Sequence, residues 1–201
     1  MLETIYSFLV LIFSIVIHEV AHGWMAYRLG DPTAKYQGRL SLNPIAHIDP
    51  IGSVLFPIFT LILTRGQGPV FGWAKPVPIN PYNFRDQKWG QLKTAIAGPL
   101  VNIILAVISG LLIRFLPFSS AIFYLLSVIC IVNLSLAIFN LVPVPPLDGS
   151  YIFLSFFPAK AQKIEFFFQR YGFLILLLFV FFASDFIGPL VTNVFYLIVG
   201  F

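Results

Sequence analysis

Long apolar stretches, separated by segments rich in proline and glycine, set the pattern of this 201-residue chain. Residues 4–29, 92–113 and 121–142 are each long enough to cross a membrane as a helix, for which about 20 apolar residues suffice. Residues 51–64 are also apolar but shorter, which favours a re-entrant or interfacial segment over a full crossing. The pattern therefore predicts three core helices and one incomplete crossing.

The segment between the first two core helices, residues 31–91, carries a different pattern. Alternating polar and apolar residues from Thr33 to Leu42 predict a short β-hairpin. Closely spaced prolines at 71–81 exclude a helix and favour extended chain. Non-helical backbone at membrane depth is tolerated only against protein or water, so we expect this segment to fold back toward a functional site.

The C-terminal region, residues 151–201, contains apolar pieces at 172–184 and 187–200 that are separated by Asp185. We therefore expect an all-α polytopic membrane protein with about five to six membrane segments. Re-entrant or extended hairpin pieces should lie between the first and second core helices. Residues 1–201 should form a single membrane-embedded domain.

Composition agrees with this class. The chain is 59% hydrophobic and only 10% charged, whereas about a quarter of the residues in soluble domains are charged. Nothing in the sequence suggests nucleic-acid binding. The chain has one cysteine, Cys130, so no internal disulfide is possible. This cysteine lies in an apolar run.

The distribution of basic residues predicts an orientation. If residues 51–64 turn back rather than cross, every Lys and Arg except Arg114 falls on one side of the membrane. The positive-inside rule makes that side cytoplasmic and places the N-terminus outside.

Candidate chemistry lies inside the first apolar stretch, in the motif His18-Glu19-Val20-Ala21-His22. On a helix, His18 and His22 are one turn apart on one face, so both imidazoles can reach one metal ion. Glu19 projects beside that face, where it can take a proton from a water. Chance matches occur on solvated helices, but an unpaired glutamate in hydrocarbon costs on the order of several kcal/mol. The motif therefore indicates a metal site, nearer the cytoplasmic side in the predicted orientation.

A catalytic zinc takes three protein ligands, so the chain must supply a third. The proline-rich run from Asn140 to Gly149 places Asp148 at a broken helix terminus, where a carboxylate can lean back toward an ion. Two alternative classes remain. A metal transporter would show inverted repeats and several acidic ligands, which are not visible. A catalytically inactive scaffold would have no need of Glu19.

Three further features have two interpretations each. Asn102 can donate a hydrogen bond to an oxyanion or to substrate backbone, or only fix helix packing. His47 can act beside the site on the transition state, or cap the turn that follows it. The stretch at 71–81 can hold an unwound substrate, with Val77 as the N–H donor between two prolines, or only seal the cavity.

Three motifs resemble those of the site-2 protease family of intramembrane zinc metalloproteases, in the family's order. They are His18–His22, Gly98-Pro99-Leu100-Val101-Asn102, and the run from Asn140 to Gly149. The likeness covers most of the chain. Phe71–Pro78 and Leu42–Pro50 resemble the compact prokaryotic branch, which lacks a PDZ or CBS domain.

The resemblance implies that His18, His22 and Asp148 bind one Zn²⁺ per chain and that Glu19 is the catalytic base. It also implies hydrolysis of peptide bonds within or near the transmembrane segment of membrane-anchored, regulatory proteins. The expected location is the inner membrane of a prokaryotic cell, and the expected partners are these substrates and the lipid bilayer. The oligomeric state is not predicted.

Overall fold

A computed structural model describes residues 2–63, 65, 74–117, 119–157 and 161–200. Over these residues the fold is helical and contains no β-strand. The α-helices found there are α1 (Leu2–Arg28), α2 (Thr33–Tyr36), α3 (Phe56–Leu63), α4 (Gly90–Phe115), α5 (Ser120–Asn140), α6 (Asp148–Ser155) and α7 (Ala161–Val199). Short 3₁₀ turns occur at Pro44–His47 and Pro81–Asn83.

Three of the described helices, α1, α4 and α5, are long and apolar enough to cross a membrane. Their ends lie within two residues of the core helices predicted from the sequence. These helices support the expected class of membrane protein. The total of five to six membrane segments stays a prediction.

Helix α4 is central, because it packs against α1, α5, α6 and α7. Its buried face consists mainly of small residues, which let neighbouring backbones approach closely. Ala106 and Ile113, in its C-terminal half, join an apolar cluster with residues of α5 and α7. Buried polar side chains gather along its N-terminal half, from Thr94 to Asn102, against α1.

The predicted hairpin between Thr33 and Leu42 is wrong, because residues Thr33–Tyr36 form the helical turn α2. The Asp31 carboxylate accepts hydrogen bonds from the backbone N–H and the hydroxyl of Thr33, which favours a turn at this point. The alternating pattern also finds no partner strand in the part of the chain that the structure describes. An unpaired strand would leave its backbone groups without hydrogen bonds.

The short apolar segment at 51–64 is helical through Leu63. A π-helical turn, Pro50–Leu55, continues directly into α3. Asp49 caps its start by accepting hydrogen bonds from the N–H groups of Ile51 and Gly52. The re-entrant course of this segment stays a prediction.

Helix α7 continues through Asp185, from Ala161 to Val199. Asp185 lies on an exposed face of this helix. An acidic side chain there leaves the backbone hydrogen bonds of the helix intact, because it removes no N–H donor, unlike proline. The apolar piece at 172–184 and the piece from 187 to Val199 are therefore parts of one helix.

Residues 74–80, which we call the strap, have no regular secondary structure, as the prolines require. Residues 71–73 of the predicted extended stretch lie outside the described residues. The N–H of Lys75 donates to the carbonyl oxygen of His47 at 2.9 Å. The buried Arg39 guanidinium donates to the carbonyl oxygens of Lys75 and Pro76, at 2.6 and 3.3 Å.

Asp31 holds the other end of the strap. Its buried carboxylate accepts hydrogen bonds from the Asn80 N–H at 2.7 Å and from the Asn83 amide at 2.8 Å. Burial by itself would raise the pKa of Asp31, but the hydrogen bonds from Thr33, Asn80 and Asn83 outweigh it and hold the pKa below its usual range. The strap is thus fastened at both ends to the segment that follows α1.

Candidate metal centre

Three side chains converge where α1 and α6 meet α4. His18 and His22 are buried on α1, with their Nε2 atoms 3.0 Å apart. Oδ2 of Asp148, the first residue of α6, lies 3.1 Å from Nε2 of His18 and 3.3 Å from Nε2 of His22. These separations are close to the edge of about 3.3 Å expected for a tetrahedron with metal–ligand bonds of about 2.0–2.1 Å.

The other ring nitrogen of each histidine sets its tautomer. Nδ1 of His22 is 2.7 Å from the backbone carbonyl oxygen of Thr94, which can only accept, so Nδ1 carries the proton. Nδ1 of His18 is 2.6 Å from Oδ1 of Asn102 and donates to it in the same way. Both Nε2 atoms therefore carry lone pairs and face Asp148.

Three electron-pair donors at this distance repel one another unless a cation lies among them. Oδ2 of Asp148 is buried and accepts no hydrogen bond from the described residues. Two neutral imidazoles and one carboxylate form a ligand set that suits a catalytic zinc. The chemistry and spacing of His18, His22 and Asp148 therefore fit Zn²⁺.

Two glycines make this convergence possible. A Cβ at Gly98 of α4 would lie 2.6 Å from Nε2 of His18 and closer still to Nε2 of His22. A Cβ at Gly149 would collide with the backbone carbonyl groups of Leu141 and Val142. Gly98 thus leaves room for the imidazoles, and Gly149 lets the chain after α5 fold back tightly enough to present the carboxylate of α6.

Glu19 stands apart from the three ligands. Its Oε2 accepts a hydrogen bond from the backbone N–H of Val77 in the strap, at 2.9 Å. Pro76 and Pro78 have no N–H, so Val77 is the donor between them. Glu19 therefore connects the edge of the metal centre to the strap.

A cavity of about 420 Å³ opens beside the three ligands, within the range of about 300–1,000 Å³ typical of ligand pockets. Besides the ligands, its wall includes Glu19, Pro76, Val77, Gln91, Asn140 and Tyr151. The structure thus brings together five of the residues predicted from the sequence, namely His18, Glu19, His22, Val77 and Asp148.

Asn102 and His47 lie elsewhere. Asn102 is fully buried behind His18 and faces the imidazole, not the cavity, which argues against a hydrogen bond to an oxyanion. Nε2 of buried His47 is 2.8 Å from the carbonyl oxygen of Ser41, and the His47 carbonyl oxygen accepts the Lys75 N–H. These contacts support the strap, and a role of His47 in the chemistry stays a prediction.

Nothing in the hydrophobic pattern singled out Asn133, Thr94, Arg39 or Asp31. Asn133 did carry a usable signal, because a polar side chain within an apolar span must find a partner inside the protein. Arg39 and Asp31 looked like ordinary loop residues. Thr94 acts on His22 through its backbone carbonyl, which leaves no trace in the identity of the side chain.

These features define a helical membrane protein with a buried His-His-Asp cluster that can hold a metal ion and an adjoining glutamate. The sequence model of peptidase family M50 matches residues 6–121 and 117–183. The chain therefore belongs to peptidase family M50, which confirms its resemblance to the site-2 proteases.

Relatives in this family carry names that specify zinc. The chain is 40% identical over 185 residues to YwhC of Bacillus subtilis, which is named as a candidate zinc metalloprotease; the match covers 86% of this chain and 78% of YwhC. It is 30% identical over 138 residues to Rip2 of Mycolicibacterium smegmatis, which is also named as a candidate zinc metalloprotease. This match covers 68% of this chain and 51% of Rip2. It is 28% identical over 145 residues to zinc metalloprotease MJ0392 of Methanocaldococcus jannaschii. This match covers 72% of this chain and 32% of MJ0392.

The chain thus spans about half the length of Rip2 and about a third of MJ0392. No solved structure matches the chain. Family membership and the names of these relatives support a zinc-dependent metalloprotease.

Proposed function

We propose that this protein is an intramembrane zinc endopeptidase. It hydrolyses peptide bonds within or near the transmembrane segment of membrane-anchored proteins, regulatory proteins among them. The observation that carries the proposal is the convergence of His18, His22 and Asp148 beside Glu19. The two histidines and Glu19 lie on α1, which can span a membrane, and Asp148 reaches them from α6. One zinc ion per chain suffices for these three ligands.

A zinc ion held by the three ligands would polarise the substrate carbonyl and make a water acidic enough to attack near neutral pH. Glu19 takes the proton of the attacking water and passes it to the leaving amine. Asn102 and Thr94 hold the two imidazoles in the tautomer that leaves Nε2 free. Asp148 balances the positive charge of the ion.

A helical segment hides its peptide carbonyls, so a transmembrane substrate must unwind before cleavage. The strap provides a surface for the unwound chain, because the Val77 N–H points into the site region and reaches Glu19. We propose that a substrate carbonyl accepts this N–H when Glu19 turns toward the attacking water. Strand addition of this kind binds any sequence through its backbone.

The proposed location is the inner membrane of a prokaryotic cell, with the metal centre nearer the cytoplasmic side. The support is the distribution of basic residues: if residues 51–64 turn back, every Lys and Arg except Arg114 lies on one side of the membrane.

The test uses the purified full-length protein in detergent or vesicles. Zinc per chain is measured, together with cleavage of a membrane-anchored test peptide, for the wild type and for Glu19→Gln. We expect one zinc per chain in both proteins and cleavage only by the wild type. Zinc without cleavage in the wild type would favour an inactive scaffold. Comparing membrane-anchored regulators by proteomics in cells carrying either protein would then identify substrates.

A further inference from the structure

A chain of buried polar groups runs from His18 of α1 through Asn102 of α4 to Asn133 of α5. Nδ2 of Asn102 lies 2.7 Å from Oδ1 of Asn133. Nδ2 of Asn133 lies 3.0 Å from Oγ of Ser14 and 2.9 Å from the carbonyl oxygen of Ile129. Ser14, Asn102 and Asn133 are each at least 95% buried, so no bulk water competes for these groups.

The direction of this chain is set by backbone carbonyl groups. The Ile129 carbonyl oxygen can only accept, so Asn133 must turn its NH₂ group toward it. That leaves Oδ1 of Asn133 facing Asn102 as an acceptor. Asn102 must then present its own NH₂ group to Asn133, and its second N–H points toward the Ser14 carbonyl oxygen at 3.4 Å.

The consequence reaches the metal centre. With its NH₂ group committed, Asn102 can offer only Oδ1 to His18, and Nδ1 of the imidazole must donate. If the Asn102 amide were rotated by half a turn, its oxygen would face two acceptors and its NH₂ group would face Nδ1. Nδ1 would then have to accept, the proton would move to Nε2, and the lone pair that points at the metal position would be lost.

We infer that Asn133, supported by Ser14, is a positioning residue for the zinc site, because it fixes through Asn102 the tautomer in which His18 can bind metal. This inference rests on the zinc site proposed above. His22 needs no such relay, since Nδ1 of His22 donates directly to the Thr94 carbonyl oxygen. The two ligands of one helix are thus oriented by different means.

The first experiment measures the zinc dissociation constant of the full-length protein by competition with a chelator. Asn133→Leu has a similar volume but no polar group, and we expect its affinity for zinc to fall by about 10–100-fold, as when other hydrogen-bond partners of metal ligands are lost. The absorption spectrum of the Co²⁺-loaded protein should change as well, since it reports the ligand geometry. Thermal unfolding of the metal-free protein checks that the variant is folded.

A matched pair of serines controls for the loss of a buried hydroxyl. Ser14→Ala removes a partner of Asn133, whereas Ser109→Ala removes a hydroxyl that donates to the Leu105 and Ala106 carbonyl groups of its own helix. Both serines are buried. We expect weaker zinc binding in Ser14→Ala and unchanged binding in Ser109→Ala. This pair decides the question if Asn133→Leu does not fold.

A second background separates positioning from packing. In Asn102→Asp the carboxylate has only acceptor oxygens, so it can accept the Nδ1 proton of His18 in either orientation. Adding Asn133→Leu to Asn102→Asp should therefore change zinc affinity little, although the same substitution weakens binding strongly in the wild type. Equal losses in both backgrounds, or no loss in the wild-type background, would overturn the inference.

The outcomes remain separable from those of the proposed function. If the wild type binds no zinc, both the proposed function and this inference are contradicted. If the wild type binds zinc and cleaves peptide, and Asn133→Leu binds zinc with equal affinity, only the inference is contradicted.

Discussion

Two carboxylates border the same cavity, and their neighbours give them different roles. Oδ2 of Asp148 faces two imidazole nitrogens and accepts no hydrogen bond among the described residues, which suits a metal ligand. Oε2 of Glu19 instead accepts the Val77 N–H, a bond that can be exchanged for one to water. The residue type is similar, but the partner decides whether the oxygen binds an ion or moves a proton.

This division predicts separate losses of metal and activity. His18→Ala, His22→Ala and Asp148→Ala should each lose zinc, because two ligands remain. Glu19→Gln should keep zinc and lose cleavage by about 10²–10⁴-fold, the usual contribution of a general acid–base group. Zinc analysis and a peptide-cleavage assay check both. Loss of zinc in Glu19→Gln, or full activity without Asp148, would contradict the assignment.

Gly98 provides a second test at this scale. Gly98→Ala should abolish zinc binding, because its Cβ would occupy the space in which the Nε2 atoms of His18 and His22 meet. Gly188→Ala is the matched control, since a Cβ there meets no other described atom within 4 Å beyond the backbone of its own helix. Zinc affinity of both variants is measured by chelator competition. Normal binding by Gly98→Ala would mean that the imidazoles do not converge here.

Asp31 links stability to pH. Its pKa is lower in the folded protein than the usual 3.8, so its contribution to stability is complete above that value and is lost as the pH falls through the folded pKa. Asp31→Asn places an NH₂ group against N–H donors and should destabilise the protein by about 1–3 kcal/mol at neutral pH. The difference between the two proteins should shrink in acid, as measured by thermal unfolding. A difference that is constant with pH would show that the charge of Asp31 has no part in it.

At the scale of elements, the strap is organised around its backbone. Its carbonyl groups accept from Arg39, and its N–H groups donate to His47, Glu19 and Asp31. The side chain of Val77 is buried and packs beside Gly23 of α1, where an added Cβ would lie 2.8 Å from Cγ1 of Val77. The strap therefore holds one N–H at a fixed position beside Glu19, the proposed catalytic base.

We expect Val77→Pro to reduce cleavage of a membrane-anchored substrate sharply, because it removes this N–H while keeping an apolar side chain and an extended backbone. Zinc content and thermal stability should stay near those of the wild type. Val77→Ala keeps the N–H and should be far milder. Small and equal effects of the two substitutions would leave the strap as a cover of the cavity with no role in binding substrate.

At the scale of the whole molecule, α4 joins the apolar cluster at one end to the metal centre at the other. The two ends of α4 should face different sides of the membrane. In a Cys130→Ser background, a cysteine at exposed Tyr36 should react with an impermeant thiol reagent only from the cytoplasm. A cysteine at Ser119 should react only from outside. Reaction of Tyr36→Cys from outside would reverse the proposed orientation.

The apolar lengths and the spacing of His18 and His22 determined the core of the prediction by themselves. A helix needs only its own residues to place side chains four positions apart on one face, so α1, α4, α5 and two of the ligands could be predicted locally. The proline-rich run before Asp148 likewise indicated a broken helix end. The alternation of polar and apolar residues at Thr33–Leu42 led to a wrong prediction of a β-hairpin, because a strand is stable only when a partner strand is available.

Only the tertiary structure decided what Asn102, Val77 and Asn133 do. Asn102 meets His18 across 84 positions of sequence, and the Val77 N–H meets Glu19 across 58. Which atom of an amide faces a ligand depends on carbonyl groups of other helices, and these groups belong to the backbone of every residue type alike. The local pattern therefore determines the helices and the metal motif, while the packing of α1, α4 and α5 determines which proton each imidazole keeps.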